Sequence, residues 1–340
     1  MISIKDNRKV FKTATFSNYK KNEVCKQLTL SIYYSKHEEA FFWTCELLCS
    51  NMLIELWNVY FTLMSKFIHS YNPKLPLFIY KKYESFKQLS ESYGDDLKLR
   101  NDMNSRLLFG SITLVLCESQ KYTILDDLTY KFDFKIENLY ENLKAPNVEY
   151  INYIWLPNDP KEYIVPFNEL IYHLRETKQK TDIHFWINWI IQYDTLCRKK
   201  KKIILCYPRH IYTCKNEKLS NNIIWIIWDI LIKCSKECSN PILNEIIIII
   251  SKLFSTRYSI SCNKNRIHMI YHCIELLLLH KTIDFKTDIL KEKKTLSNLE
   301  ENLNVIFDQI KKHEVSENIE VPQTKHEKKI HLYKNIYNNL

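Results

Sequence analysis

Two glycines, Gly94 and Gly110, are all that 340 residues contain, where average usage of about 7% would supply roughly 24. Glycine reaches positive φ without steric cost and lets a backbone approach a ligand closely. A chain this poor in it cannot build the glycine-rich loop that cradles phosphate. Nor can it build the dinucleotide fingerprint or the sharp turn that presents a nucleophilic serine. No G-x-x-x-x-G-K, G-x-G-x-x-G or G-x-S-x-G occurs. Most nucleotide-driven and many hydrolytic mechanisms drop out together. Asn, Ile, Lys and Tyr are abundant instead, as codon bias in an AT-rich genome produces.

What remains is ample for a core. Apolar residues make up 46% and aromatics 13% of the chain, which excludes general disorder. The length allows two domains or one large one. The first residues lack the apolar stretch of a secretory signal. The greasiest segments, 223–232 and 246–250, are broken by Asp229, Lys233, Glu245 and Lys252, far short of the roughly 20 apolar residues of a membrane span. Eleven cysteines, an odd number, predict reduced and mostly buried thiols in an intracellular protein. The net charge of +10 predicts either an acidic partner, most simply DNA or RNA, or a basic surface with no such role. No membrane partner is expected.

Periodicity predicts a mainly α fold of multi-helix domains with at most a small β element. Residues 1–35 read as a basic, loosely packed arm. A helical domain spans 36–145. Apolar positions recur at three and four, one face of a helix, over 37–49 and 52–68, and helices are predicted over 77–90 and 104–119. Asn72-Pro73-Lys74-Leu75-Pro76 interrupts them, because the residue before proline avoids the helical region. A second helical domain, 146–284, carries Trp186 with Trp189 and Trp225 with Trp228. Each pair is spaced i, i+3 and so shares a face. Helices are predicted there over 184–194, 222–233, 241–254 and 267–279. Weak strand signals fall at 122–136 and 203–212. An amphipathic helix at 285–313 and a mobile tail at 314–340 complete the chain. Trp43, Trp57, Trp186, Trp189, Trp225 and Trp228 are the expected core anchors.

Chemistry-bearing groups are scattered. Cys45 with Cys49, Cys234 with Cys238, and His268 with His272 lie four apart, with Cys262 and Cys273 near the histidines. Zinc can use such pairs, yet structural sites favour Cys-x2-Cys knuckles on tight turns, and none occurs. Buried thiols are the ordinary alternative, and no metal or cofactor is predicted. Asp95-Asp96, Asp126-Asp127 and Glu38-Glu39 suit helix starts, where carboxylates meet the positive end of the macrodipole. Glu46 and Asp229 sit on apolar helices and need partners, expected to be Lys or Arg. No catalytic residue is predicted.

Charge is focused in one place. Residues 175–220 hold eleven Lys or Arg against four Asp or Glu, +7 of the net charge. At their centre stand Arg198, Lys199, Lys200, Lys201 and Lys202, followed by Arg209. Such a run attracts phosphate, and Trp189, Tyr207 and Tyr212 nearby would suit single strands. The plain alternative is a basic loop at a helix C-terminus. Further on, Ile289, Leu296, Leu299, Leu303, Ile306 and Ile310 form a stripe of period 3.5. From Leu296 onward it is a candidate surface for another protein, a second copy included. Packing back on its own chain is slightly favoured, because three repeats in isolation are marginal.

The stretch 38–80, with Phe41-Phe42-Trp43, Glu46-Leu47-Leu48, Leu56-Trp57, Ser65-Lys66 and the Asn72–Pro76 turn, resembles uncharacterised proteins of nucleocytoplasmic large DNA viruses, as does 223–231. The 38–80 segment is also similar in outline to the helical C-terminal region of clamp-loader-related AAA+ ATPases, without their Walker motifs, so ATP hydrolysis does not carry over. The viral resemblance implies an origin, and with it the host cytoplasm or the virion as the location, but no activity. Together these features predict a non-enzymatic interaction or structural protein of such a virus, in the virion or the replication machinery. A nucleic-acid-binding accessory factor is the alternative, and an enzyme of unrecognised type the third reading.

Overall fold

The computed structural model describes residues 3–5, 11, 13–122, 130–134, 136–286, 289 and 299–314. Helices dominate, and no strand occurs among the described residues; the one β-bridge pairs Ala14 with Lys20. In chain order the helices are α1 (Lys21–Tyr33), α2 (His37–Cys49), α3 (Leu53–Thr62), α4 (Leu75–Tyr93), α5 (Asp96–Asn101), α6 (Met103–Glu118), α7 (Ile164–Tyr172), α8 (Lys180–Lys199), α9 (Glu217–Ser220), α10 (Ile224–Glu237), α11 (Pro241–Ser255), α12 (Cys262–Asn265), α13 (Ile267–Leu279) and α14 (Leu299–Lys311). The mainly α fold is as the periodicity predicts.

In one half α1 packs on α2, and α2 on α6 and α3. A chain of buried hydroxyls pins these helices: Thr44 on Thr113 at 2.8 Å and Tyr60 on Thr113 at 2.9 Å. In the other half α10, α11 and α13 pack together and α7 lies on α8. The halves share one continuous core, because α11 packs on α4 and α13 packs on the turns at Leu63–Ile68 and His69–Tyr71. Apolar burial therefore runs across the expected boundary near residue 146.

From Thr13 to Ser35 the chain departs from the reading of 1–35 as a loose arm. Val24, Leu28 and Ile32, four apart, are buried on α1, and Thr15 and Phe16 are buried ahead of it. The tether is Glu46, fully buried on α2, which accepts from the Ser17 N–H at 2.7 Å and the Ser17 hydroxyl at 2.8 Å. The expected cationic partner is replaced by loop donors, which satisfy the carboxylate equally well. Asp229 does have cations, Arg209 Nε at 3.2 Å and Lys233 Nζ at 3.6 Å.

The 52–68 periodicity belongs to α3 plus a wider π-type turn, Leu63–Ile68. At 203–212 the chain is irregular, with bends at 210–212 and His210 at φ 56°, and joins no sheet among the described residues. Within 122–136 the described residues 130–134 alternate as a strand would, yet their partner is a helix. Tyr130, Phe132 and Phe134 face α8, ringed by Phe185, Trp189 and Tyr193 at centroid distances of 5.2–5.7 Å, while Lys131 and Asp133 face outward. Five of the six expected anchors are buried, and Trp43 is half-buried against Tyr19 and Phe42.

The two glycines have different roles. Gly94 closes α4 at φ 56° with open space around it. Gly110, inside α6, lets Leu303 of α14 sit where a Cβ would stand 2.8 Å from its Cδ1.

Candidate functional site

The 198–202 run begins at the end of α8, a helix ordered by Ile183, Trp186, Ile187 and Ile190 on its buried face. Lysines at a C-terminus meet the negative end of the macrodipole. Lys201 turns the chain at φ 60°, with its N–H donating to Arg198 O and the Lys202 N–H to Cys197 O at 2.8 Å. That pair of bonds is a Schellman closure.

The six predicted cations separate into two groups. Arg198 donates to Asp194 at 2.8 Å one turn back, and Lys202 pairs with Glu162 at 2.8 Å. Arg209 departs furthest from its reading as a surface phosphate ligand: its side chain is buried, bonded to Asp159 and 3.2 Å from Asp229. An isolated charge between apolar segments must find a counter-charge on burial, and two carboxylates supply it. Lys199, Lys200 and Lys201 remain exposed. Of the neighbouring aromatics, Trp189 is buried, and Tyr212 stacks on Trp225 at 5.1 Å. Tyr207 is 43% exposed.

The Arg209–Asp159 pair organises the segment that follows the lysines. Asp159 accepts from the backbone N–H of Leu156 at 2.8 Å and of Tyr207 at 3.0 Å. Arg209 donates to the Tyr207 carbonyl at 3.1 Å. The Cys206 N–H donates to Asn221 O at 2.9 Å. Spacing could not reveal this clamp, because Asp159 and Arg209 lie 50 residues apart.

The stripe is built into the fold. Leu299, Leu303 and Ile310 are buried against α2 and α6, and Ile306 is partly buried. Phe307 joins them, with the Arg106 guanidinium 3.8 Å from its ring centroid. These side chains are core contacts and are therefore not free for another chain. Leu296 and the 315–340 tail lie outside the described residues.

Several reactive side chains are buried in quiet forms. All eleven cysteines are free thiols. Burial pushes Cys117 and Cys206 up to about 12 and Cys234 up to about 11, and raises Cys45 and Cys273 as well. Burial drives His184 down to about 4 and His272 well below the ordinary imidazole range. Neither ring nitrogen of His272 has a hydrogen-bond partner among the described residues, and His69 faces it with ring centroids 6.2 Å apart. Among the described residues no three His, Cys, Asp or Glu side chains are grouped to hold a metal ion. No described helix is long and apolar enough to cross a membrane.

Comparison with protein-family models, curated proteins and solved structures gives no match. The functional reading rests on the chain's own geometry.

Proposed function

We propose that the protein works by binding macromolecular partners rather than by catalysis, as an interaction or structural protein of a large DNA virus, in the virion or the replication machinery. The observation that supports the binding role is the state of its reactive groups. Nucleophilic cysteines need a depressed pKa and an acid–base histidine needs one near the working pH. Here burial moves Cys117, Cys206 and Cys234 up and His184 and His272 down. Alkylation with iodoacetamide near neutral pH, followed by mass spectrometry, tests it. Cys45, Cys117, Cys206, Cys234 and Cys273 should stay unmodified in the folded protein and react on unfolding. Rapid native alkylation of any of them points back to chemistry. The viral role, which rests on the sequence resemblance and the AT-rich composition, requires the protein in purified particles or in replication complexes; absence from both overturns it.

A second reading, a nucleic-acid-binding accessory factor, is favoured by the three exposed lysines at the end of α8. Cations that neutralise phosphates release counterions, so affinity falls steeply with salt. Lys199→Gln, Lys200→Gln and Lys201→Gln together should leave the fold intact, since solvated charges contribute little to stability. The same variant should flatten the salt dependence of DNA binding. Unchanged affinity and slope would reduce the run to a solvated helix end.

A further inference from the structure

Tyr207 combines two properties that rarely coincide on a surface. Its ring is 43% exposed, yet both its backbone groups are clamped: the N–H by Asp159 at 3.0 Å and the carbonyl by Arg209 at 3.1 Å. The clamp is a buried ion pair, and burying two charges is costly unless good geometry and further hydrogen bonds offset it. Of those further bonds, two hold the backbone that carries this ring and two hold the Leu156 N–H and the Ile154 carbonyl.

The same turn gathers the cations. Lys202 reaches Glu162 at 2.8 Å and Tyr207 reaches Asp159 at 3.0 Å, so both ends of the 202–207 segment are fastened to one short stretch, 159–162. Exposed Lys161 lies inside that stretch, and exposed Lys199, Lys200 and Lys201 lead into the segment. Ile203, 43% exposed, stands beside them. An exposed aromatic on a fixed backbone thus lies in one segment with lysines from two parts of the chain.

From this juxtaposition we infer that the 199–207 surface takes single-stranded nucleic acid, with Tyr207 stacking on an unpaired base and Lys161, Lys199, Lys200 and Lys201 meeting the phosphates. The inference rests on the accessory-factor reading and names its substrate. A duplex offers phosphates but keeps its base faces covered, so an aromatic platform selects unpaired strands. Because the backbone at Tyr207 is already fixed, stacking costs little ordering.

Fluorescence anisotropy with labelled oligothymidine, oligouridine and a duplex of equal length, each over a salt series, tests it on the full chain. The single strands should bind more tightly than the duplex, and the two single-stranded probes distinguish DNA from RNA. Tyr207→Ala should weaken single-strand binding by about 5- to 100-fold at constant salt slope, and Tyr207→Phe should retain it. The triple glutamine variant should instead lower the slope, by about 0.7 for each phosphate it no longer neutralises. Duplex preference, or wild-type affinity in Tyr207→Ala, overturns the stacking role while leaving the lysine reading in place. No salt-sensitive binding by the wild type, or no effect of the triple variant, overturns both.

Discussion

Lys178 holds φ 54° at the end of the helical turn His173–Thr177, donating its N–H to His173 O at 2.8 Å. Ser35, Asn51 and Lys201 stand at comparable angles after α1, α2 and α8. Helices commonly end on a left-handed residue, usually glycine, and this chain has almost none to place there. Cβ crowding costs each L-residue so placed roughly 1–2 kcal/mol. Lys178 is exposed, so its replacement isolates the backbone contribution. Lys178→Gly should stabilise by about 0.5–1 kcal/mol, because relief of crowding exceeds the extra freedom glycine adds to the unfolded chain. Lys178→Ala should change little. Chemical denaturation measures both, and a destabilised glycine variant would show that the position carries no such strain.

At the scale of the element, α14 shows how a helix is received by its neighbours. A stripe of period 3.5 can join a coiled coil or lie along a groove. The choice is set by Gly110, whose missing side chain leaves room for Leu303, and by the exposed opposite face of Val305 and Asp308. Leu303→Asp buries a carboxylate beside apolar helices and should cost about 3–5 kcal/mol. The melting temperature should fall by several degrees while the mass in light scattering stays constant. Gly110→Leu should reproduce the loss from the opposite surface. Gly110→Ala should be mild, since only the flexible tip of Leu303 must yield and alanine favours the helix by about 1 kcal/mol. A drop in mass for Leu303→Asp would instead mean that α14 joins two chains.

Across the whole molecule the two halves meet where α13 crosses the turns at Leu63–Ile68 and His69–Tyr71, and two histidines lie in that contact. His272 comes from α13. His69 comes from the turn, in a strained backbone at φ 30° and ψ −111°. Around them stand His268 and Glu275 of α13, Lys180 of α8 and the Tyr122 ring. Burial lowers the pKa of both histidines. Above about pH 6.5 neither the folded nor the unfolded chain protonates them, and they cost nothing. Below it the unfolded chain takes up protons that the folded chain refuses. Each such histidine, His184 included, then removes up to about 1.4 kcal/mol per pH unit until its folded pKa is passed. The raised thiols act in the opposite direction above about pH 9, where the unfolded chain releases protons that the fold retains. Stability should therefore plateau between about pH 6.5 and 9 and fall on both sides. His272→Phe should flatten the decline between about pH 6.5 and 5.5 in thermal melts; an unaltered pH profile would exclude His272 as a contributor.

The sequence by itself determined the long apolar helices α2, α3, α4, α6, α8, α10, α11 and α13, because apolar residues at three and four leave one face to bury whatever the neighbours are; α1 and α7 carried no such signal. It determined equally that phosphate-cradling glycine loops are absent. Local spacing could not show which cations would be drawn inside the fold: Arg209 and Lys202 look alike in the 198–209 cluster, and only the return of Asp159 and Asp229 beside Arg209 buries one and leaves the other at the surface. The same holds for Tyr130, Phe132 and Phe134, whose alternation is a strand's while their partner is helix α8. It holds for α1 too, which a buried Glu46 nearly thirty residues on from Ser17 turns from a polar arm into packed structure. Periodicity is a property of neighbours in the chain, whereas burial, charge pairing and the exposure of Tyr207 depend on residues that meet only when distant segments close on one core.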